Sequence, residues 1–120
     1  MANPDKKETP QILHENPAQA MKQLIDLAES LNTLLDQEAN ALILMRDPVA
    51  LSAIESEKEA LAAKYEQSCR EFKERLAAFK TMPKPQIEKL YALQEQIGEK
   101  ATHNMGLIKE KKVVVQKPEE

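Results

Sequence analysis

An apolar repeat of about 3.5 residues, which runs on both sides of a single proline, most constrains how this chain folds. On the amino-terminal side of Pro48 the repeat occupies Met21, Leu24, Ala28, Leu31, Leu35, Glu38, Leu42 and Met45. On the carboxy-terminal side it occupies Leu51, Ile54, Lys58, Leu61, Tyr65, Ser68, Phe72 and Arg75. This spacing is typical of the seam between two coiled-coil helices. The sequence therefore predicts two long helices that share one seam.

The two halves of the repeat predict an antiparallel hairpin that turns at Pro48. In such a hairpin, positions at equal distances from the proline face each other. Most apolar seam residues then meet an apolar partner, in the pairs Met45–Leu51, Leu42–Ile54, Leu35–Leu61, Leu31–Tyr65 and Leu24–Phe72. Met21 instead faces Arg75, near the open end of the hairpin.

Glu38 and Lys58 are charged seam positions that also lie at equal distances from Pro48. An unpaired charge in a seam is costly, whereas a facing ion pair can fix the register of an antiparallel hairpin. We therefore predict that they form a structural register pair. Because a seam between only two helices stays partly in water, we expect replacement of Glu38 by alanine to cost about 1–3 kcal/mol.

Prolines and capping residues predict where the helices begin and end. Asn16-Pro17 and Asp47-Pro48 each combine a favoured N-cap residue with a proline at the first helical position. Pro83 and Pro85 interrupt the pattern a second time. These signals predict a disordered N-terminal arm, a three-helix domain and a flexible tail, with boundaries at 1–16, 17–112 and 113–120. Within the arm, the apolar pair Ile12 and Leu13 is a candidate to fold back onto the first helix. Within the domain the helices are predicted at about 17–46, 48–80 and 85–112.

The third predicted helix carries an apolar stripe that can pack along the hairpin. Its main members are Ile87, Leu90, Gln94, Ile97, Ala101 and Ile108. Gly98 and Gly106 each cost about 1 kcal/mol relative to alanine inside a helix, so we expect this contact to be the weakest of the domain. The 31% of charged residues and 3% of aromatic residues are typical of long helices. The fold class predicted is all-α, a long antiparallel coiled-coil-like hairpin with a third helix packed along it.

The chemistry of the side chains argues against several functions. A net charge of −3 disfavours nucleic-acid binding, and the sequence has no apolar run long enough for membrane insertion. Glu99 and His103 share a helix face, but two ligands do not make a metal site. Cys69 is the single cysteine. Nothing resembles a signal peptide or a catalytic grouping, and a two-helix seam offers Glu38 and Lys58 no substrate cleft. We expect a cytoplasmic protein that is not an enzyme and has no cofactor.

Two stretches of the chain resemble FlgN-type flagellar export chaperones. The first is residues 34–66, LLDQEANALILMRDPVALSAIESEKEALAAKYE, which is similar to the centre of that family. Its matching positions are Leu35, Glu38, Leu42, Asp47, Leu51, Ile54, Lys58 and Leu61. The second is THNMGLIKE, residues 102–110, which resembles an asparagine-glycine-leucine segment late in the family's final helix. There the matching positions are Asn104, Gly106, Leu107 and Ile108.

The resemblance implies a cytoplasmic chaperone of the flagellar type III export apparatus. Such chaperones hold helical terminal segments of hook–filament junction proteins, prevent premature assembly and deliver these clients to the export apparatus. Family members commonly continue into a longer amphipathic region that binds the client, whereas here Val113-Val114-Val115 leads into a charged tail. We therefore expect the third helix itself to bind clients, through Ile97, Ala101, Met105, Leu107 and Ile108.

An alternative function is that of a structural coiled-coil tether or subunit that packs constitutively with a partner helix. The chaperone hypothesis expects a third helix that detaches and binds a client reversibly. The tether hypothesis expects a stable bundle or a constitutive oligomer. The sequence leaves open which client is bound and whether the protein forms a homo-oligomer. It also leaves open whether the third helix packs on its own hairpin or on that of a neighbour, and whether the short C-terminus still binds clients.

Overall fold

The computed structural model describes residues 11–44 and 48–110, which contain three long helices and one short helix. They are α1 (Pro17–Leu44), α2 (Pro48–Glu74), α3 (Leu76–Phe79) and α4 (Lys84–Glu110). The predicted all-α fold class is confirmed, and α4 is the predicted third helix. Several predicted features lie outside the described residues. They are the helix ends at residues 46 and 112, the first ten residues of the arm, and the tail at 113–120.

The predicted start of α1 is confirmed in detail. The backbone N–H groups of Ala18 and Gln19 donate to Oδ1 of Asn16 at 2.9 and 3.1 Å. Asn16 therefore caps two backbone donors of the first turn, and Pro17 occupies a position whose N–H would have no partner in the helix. The second helix begins at Pro48, also as predicted.

The hairpin of α1 and α2 is confirmed by the apolar residues that pack together. Leu24, Leu31, Leu35, Leu61, Tyr65 and Phe72 all belong to one main apolar cluster. Leu42 packs with Leu51 and Ile54 in a second cluster nearer the turn. The predicted pair Met45–Leu51 involves a residue outside the described part of the chain. Met21, which the seam pattern placed opposite a charge, is fully buried in the main cluster together with Leu13 and Phe79.

The second helix does not continue to residue 80 as predicted, because the chain breaks at Arg75. This residue has φ −112° and ψ 24°, and its N–H is shared between the carbonyls of Glu71 and Phe72 at 3.1 Å. In a straight helix, Phe72 and Phe79 would be about 10 Å apart along the axis. The break instead brings their ring centroids to 4.8 Å and buries Phe79. Burial of this ring favours the broken helix over a continuous one.

Residues 11–16 differ from the predicted disordered arm, because they pack onto the hairpin. Leu13 is buried in the main cluster. The N–H groups of Ile12 and Leu13 donate to the two carboxylate oxygens of Glu71 at 2.9 and 2.8 Å. Although burial opposes it, these hydrogen bonds lower the pKa of Glu71. Arg75 also donates to the carbonyl of Glu15 at 2.8 Å. This part of the chain is thus held at the open end of the hairpin.

The fourth helix runs parallel to α1 and packs against it more closely than α2 does. Polar contacts follow the two helices in the same order: Lys89 to Glu29 at 3.0 Å, Gln96 to Asn32 at 3.0 Å, and Lys100 to Asp36 at 2.9 Å. The expectation that this contact is the weakest of the domain was wrong. Leu90, Leu93 and Ile97 are buried in the main cluster, whereas the glycines lie on the solvent side of α4.

The first helix lies between the other two long helices. Over the described residues, no Cα atom of α2 comes within 8 Å of a Cα atom of α4. The two helices meet only through side chains, such as Gln94 Nε2 and Cys69 Sγ at 3.6 Å and the rings of Phe72 and Tyr91 at 6.5 Å. In residues 11–44 and 48–110, no helix has the length and apolarity needed to cross a membrane.

Gly98 and Gly106 provide a test of α4. A methyl group added at either position would contact nothing within 4 Å, so alanine should gain helix propensity without a clash. We expect Gly98→Ala and Gly106→Ala each to raise the free energy of unfolding by about 0.5–1 kcal/mol. Urea denaturation measures this change. Ala92→Gly, at an exposed position of the same helix, is the matched control and should lower stability by a similar amount. Destabilisation by the alanine variants would contradict an exposed helix at these positions.

Candidate functional site

A buried polar layer joins the three long helices. We use this name for Glu38 of α1, Glu55 and Lys58 of α2, and Asn104 of α4. Nζ of Lys58 lies 2.7 Å from Oε2 of Glu38 and 3.0 Å from Oε1 of Glu55. Nδ2 of Asn104 donates to Oε1 of Glu38 at 2.8 Å and to the carbonyl oxygen of Leu35 at 2.9 Å. Each long helix therefore contributes at least one side chain to a single hydrogen-bonded group.

The predicted contact between Glu38 and Lys58 across the seam is confirmed, but its environment differs from the prediction. The sequence argument assumed a seam that stays partly in water. In the structure, α4 covers the seam at this level, and Glu38 is 0% exposed. Lys58 remains half-buried at the edge of the layer. The carboxylate of Glu38 is therefore a fully buried charge with hydrogen bonds from two different helices.

The polar layer holds two carboxyl groups and one amine, so its charges do not balance when both carboxyls are ionised. Burial raises the pKa of Glu55, and a hydrogen bond with Glu38 raises it further, to about 7. Burial also opposes ionisation of Glu38, but hydrogen bonds with Glu55, Lys58 and Asn104 lower its pKa overall. Despite the effect of burial, hydrogen bonds to the two carboxyls raise the pKa of Lys58. Glu38 is thus the anion of the layer, and Glu55 is the group that exchanges a proton near neutral pH.

The two states of Glu55 differ in hydrogen bonding. When protonated, Glu55 can donate to Glu38 while Lys58 bridges both carboxyls. When ionised, its buried Oε2 has no hydrogen-bond partner among the described residues. A buried acceptor without a partner is costly. The protonated form is therefore the one that suits this packing.

The polar layer separates the main apolar cluster from a smaller one at the closed end of the hairpin. This tip cluster consists of buried Ala41, Leu42 and Leu51, with Ile54, Leu107 and Ile108 partly buried against it. The seam pattern did not reveal that Glu55 belongs to the layer, although its position one helical turn before Lys58 was a usable signal. Asn104 was noted only in the family resemblance.

The five residues predicted to bind clients do not form one exposed face. Ile97 is buried in the main cluster, and Ala101 is half-buried. Leu107 and Ile108 pack on the tip cluster. Only Met105 is largely exposed, at 63%. Ile97, Leu107 and Ile108 could therefore bind a partner only if they gave up their contacts inside the protein.

Exposed apolar side chains collect at the closed end of the hairpin instead. Ile43 and Leu44 at the end of α1 are 51% and 58% exposed, and Val49 at the start of α2 is 75% exposed. These are three of the six large hydrophobic side chains that are exposed in the described residues. We call Ile43, Leu44 and Val49 the tip surface. A group of exposed apolar side chains on a protein marks a candidate binding surface.

Other groups that the sequence analysis considered lie elsewhere. Glu99 and His103 are both exposed on α4. Burial raises the pKa of the Cys69 thiol, and its sulfur contacts Gln94. Among residues 11–44 and 48–110, no group of three or more His, Cys, Asp or Glu side chains is placed to hold a metal ion. The polar layer and the tip surface are therefore the features on which a functional argument can be built.

In comparisons with known proteins, no family model matches this chain, and no curated protein or solved structure matches it.

The burial of Glu38 leads to a prediction about stability. Replacing Glu38 by alanine leaves Lys58 with one carboxyl and removes a hydrogen bond from Asn104. We expect the free energy of unfolding to fall by about 2–4 kcal/mol, more than for a seam open to water. Asp36→Ala is the matched control, because Asp36 pairs with Lys100 at 2.9 Å on the surface and should cost less than about 1 kcal/mol. Equal losses in chemical denaturation would mean that Glu38 is not buried in a network.

The raised pKa of Glu55 predicts how stability depends on pH. The folded protein keeps this proton up to about pH 7, whereas the unfolded chain releases it near the ordinary value of 4.5. Stability should therefore fall as pH rises between these values, by up to about 1.4 kcal/mol per unit. The lowered pKa of Glu38 acts in the opposite direction, because its contribution is lost as pH falls below 4.5. Stability should accordingly be greatest near pH 5.

Denaturation at a series of pH values between 5 and 8 measures this slope. Glu55→Gln should abolish the fall in stability above pH 5, since the amide cannot ionise. Glu57→Gln, on the exposed side of the same helix, should leave it unchanged. An unaltered slope in Glu55→Gln would assign the pH dependence to another group.

Proposed function

We propose that this protein is an export chaperone of the flagellar type III apparatus. It acts in the cytoplasm, holds helical terminal segments of hook–filament junction proteins, and delivers them for export. It performs no bond chemistry and needs no cofactor. Its partners are these clients and components of the export apparatus.

The observation that carries the proposal is that polar residues on which the resemblance rests contact one another in the structure. Glu38, Lys58 and Asn104 come from two stretches that are far apart in sequence, yet their side chains share the polar layer. If the two stretches matched the family only by chance, the matched polar residues would not be expected to contact one another. The matched polar positions therefore form one structural unit.

The remaining matched positions extend this unit. Leu42, Leu51 and Ile54 form the tip cluster with Leu107 and Ile108, and all five are positions of the resemblance. The tip surface lies next to this cluster. An exposed apolar surface suits a chaperone, because such a surface is a candidate site for binding another protein.

One observation favours the second candidate function, a coiled-coil tether or subunit that packs constitutively with a partner helix. The fourth helix packs closely along α1 and buries Asn104. A third long helix held in this way is what a stable bundle requires. It is not what a helix that detaches to bind a client requires.

Binding to junction proteins from the same genome tests the two functions against each other. We expect the purified chain to form a complex of one to one stoichiometry with the helical terminal segment of such a protein in isothermal titration calorimetry. A fragment from the middle of the same junction protein, which lacks the terminal helices, is the control and should not bind. Absence of binding, together with a constitutive oligomer in sedimentation analysis, would refute the chaperone and favour the tether.

A further inference from the structure

Residues 12–15 lie on the hairpin as a bound peptide lies on its receptor. Side chains of α1 and α2 form hydrogen bonds with five backbone groups of this short segment. Glu71 is buried, and its two carboxylate oxygens accept the N–H groups of Ile12 at 2.9 Å and Leu13 at 2.8 Å. An ionised carboxylate accepts hydrogen bonds from backbone donors whatever side chains those residues carry. Glu71 therefore holds the main chain of the segment and not its sequence.

Gln23 and Arg75 also bind the main chain of this segment. Oε1 of Gln23 accepts the N–H of His14 at 2.6 Å, and its Nε2 donates to the carbonyl oxygen of Ile12 at 3.2 Å. Nη2 of Arg75 donates to the carbonyl oxygen of Glu15 at 2.8 Å. In peptide recognition, main-chain hydrogen bonds supply affinity, whereas pockets for side chains supply specificity. These contacts are therefore of a kind that another peptide can form.

One side chain of the segment is anchored in the core. Leu13 is 2% exposed and packs in the main cluster. Ile12 is half-buried in a groove between α1 and α2. The side chains of His14 and Glu15 are exposed. The site thus selects a leucine that follows another apolar residue, and it leaves the next two side chains free to vary.

The segment can leave its site without unfolding a helix. Residues 11–16 are not helical, and Leu13 is the single side chain among them that is buried. Holding them in place costs conformational entropy at every residue, and segments with few buried contacts open at low cost. Asn16, which caps α1, follows the segment. The helix therefore keeps its first turn when residues 12–15 detach.

An empty site would be unfavourable, and this favours the exchange of one peptide for another. Without the segment, the buried carboxylate of Glu71 would keep a hydrogen bond from Gln67 at 2.9 Å but lose two backbone donors. The apolar pocket of Leu13 would open to water. The arm does not saturate the site, because the buried Nη1 of Arg75 has no hydrogen-bond partner among the described residues. A segment that supplies a second acceptor beside Arg75 would fit better than the arm does.

We propose that Gln23, Glu71, Arg75 and the pocket of Leu13 form a binding site for extended segments of other proteins, and that residues 12–15 occupy this arm site in the free protein. The partner segment carries an apolar residue followed by leucine. It has no proline at these two positions or at the next, because all three N–H groups are bound. The tethered arm competes at a high effective concentration, so a partner binds by displacing it. The inference goes beyond the proposed function and holds for a chaperone or a tether.

The probe is a labelled synthetic peptide with the sequence of residues 11–16, QILHEN, blocked at both ends. The full chain with Leu13→Ser is the receptor, because its own arm has lost the anchor. Fluorescence anisotropy should show at least tenfold tighter binding to Leu13→Ser than to the original chain, whose arm competes. A peptide that keeps isoleucine and leucine, with alanine or serine elsewhere, should bind within threefold of the first. Methylation of the isoleucine and leucine amide nitrogens, which removes the donors to Glu71, should weaken binding at least tenfold.

Further variants in the Leu13→Ser chain locate the site. Glu71→Gln and Gln23→Ala should each weaken peptide binding at least tenfold. Glu66→Gln, at an exposed position of α2, is the matched control and should change it less than twofold. Circular dichroism checks that helix content is equal in these chains, and Gln23→Ala decides if Glu71→Gln lowers it. In the original chain, Ile12→Pro removes a donor of the arm instead of its anchor, so it provides a second open receptor that should give the same order of peptide affinities.

Several outcomes would overturn the proposal. One is equal binding of the peptide by Leu13→Ser and the original chain, and another is equal binding of the methylated and unmethylated peptides. Binding of the arm sequence without binding of the alanine–serine peptide would make the site specific to the arm, which would also refute a site for other proteins. So would a dimer of the original chain that Leu13→Ser converts to a monomer, because the occupant would then be the arm of a second copy.

Discussion

The buried carboxylate of Glu38 determines how the three long helices fit together. A charge without partners in the interior costs several kcal/mol, so the fold must supply donors at this one point. Lys58 supplies one from α2 and Asn104 supplies one from α4. A shift of either helix by one turn, about 5.4 Å, would remove its donor. Apolar side chains alone would tolerate such shifts much better. The antiparallel register of α2 and the parallel register of α4 are therefore both fixed through Glu38.

The same layer divides the interior into two unequal parts. Below it, the main cluster includes the arm residue Leu13 and the ring of Phe79. Above it, the tip cluster has only three buried members. So few residues cannot cover every apolar side chain at the ends of α1 and α2, and Ile43, Leu44 and Val49 remain exposed.

The sequence could predict what a local, symmetrical pattern encodes. The hinge at Pro48 and the contact of Glu38 with Lys58 follow from one repeat and one proline, and both are present in the structure. The break at Arg75 could not be predicted in this way, because the repeat continues through it and only the packing of Phe79 requires it. The apolar character of Ile12 and Leu13 suggested that they could fold back, but their hydrogen bonds to Glu71 could not be predicted, since a short arm has no periodicity.

The fourth helix shows a different limit of sequence analysis. Its stripe correctly identified Leu90 and Ile97 as residues that pack on the hairpin. The stripe did not encode the direction of the helix relative to α1, and without that direction Asn104 could not be placed beside Glu38. The glycines suggested a weak contact, but they face solvent, where they lower helix propensity without weakening the packed side. Helix propensity and tertiary contact are separate contributions, and here they act on opposite faces.

The position of α4 bears on where a partner can bind. Detaching α4 would expose Leu90, Leu93 and Ile97, at a cost of roughly 5–9 kcal/mol for three buried apolar side chains. It would also take the amide of Asn104 away from the buried carboxylate of Glu38. A partner that displaced α4 would have to replace both the apolar contacts and this hydrogen bond. A partner that docks on exposed Leu44 and Val49 has no such cost to offset, because these side chains are already in water. Unless a partner supplies both replacements, α4 stays in place and the register that Glu38 fixes is kept.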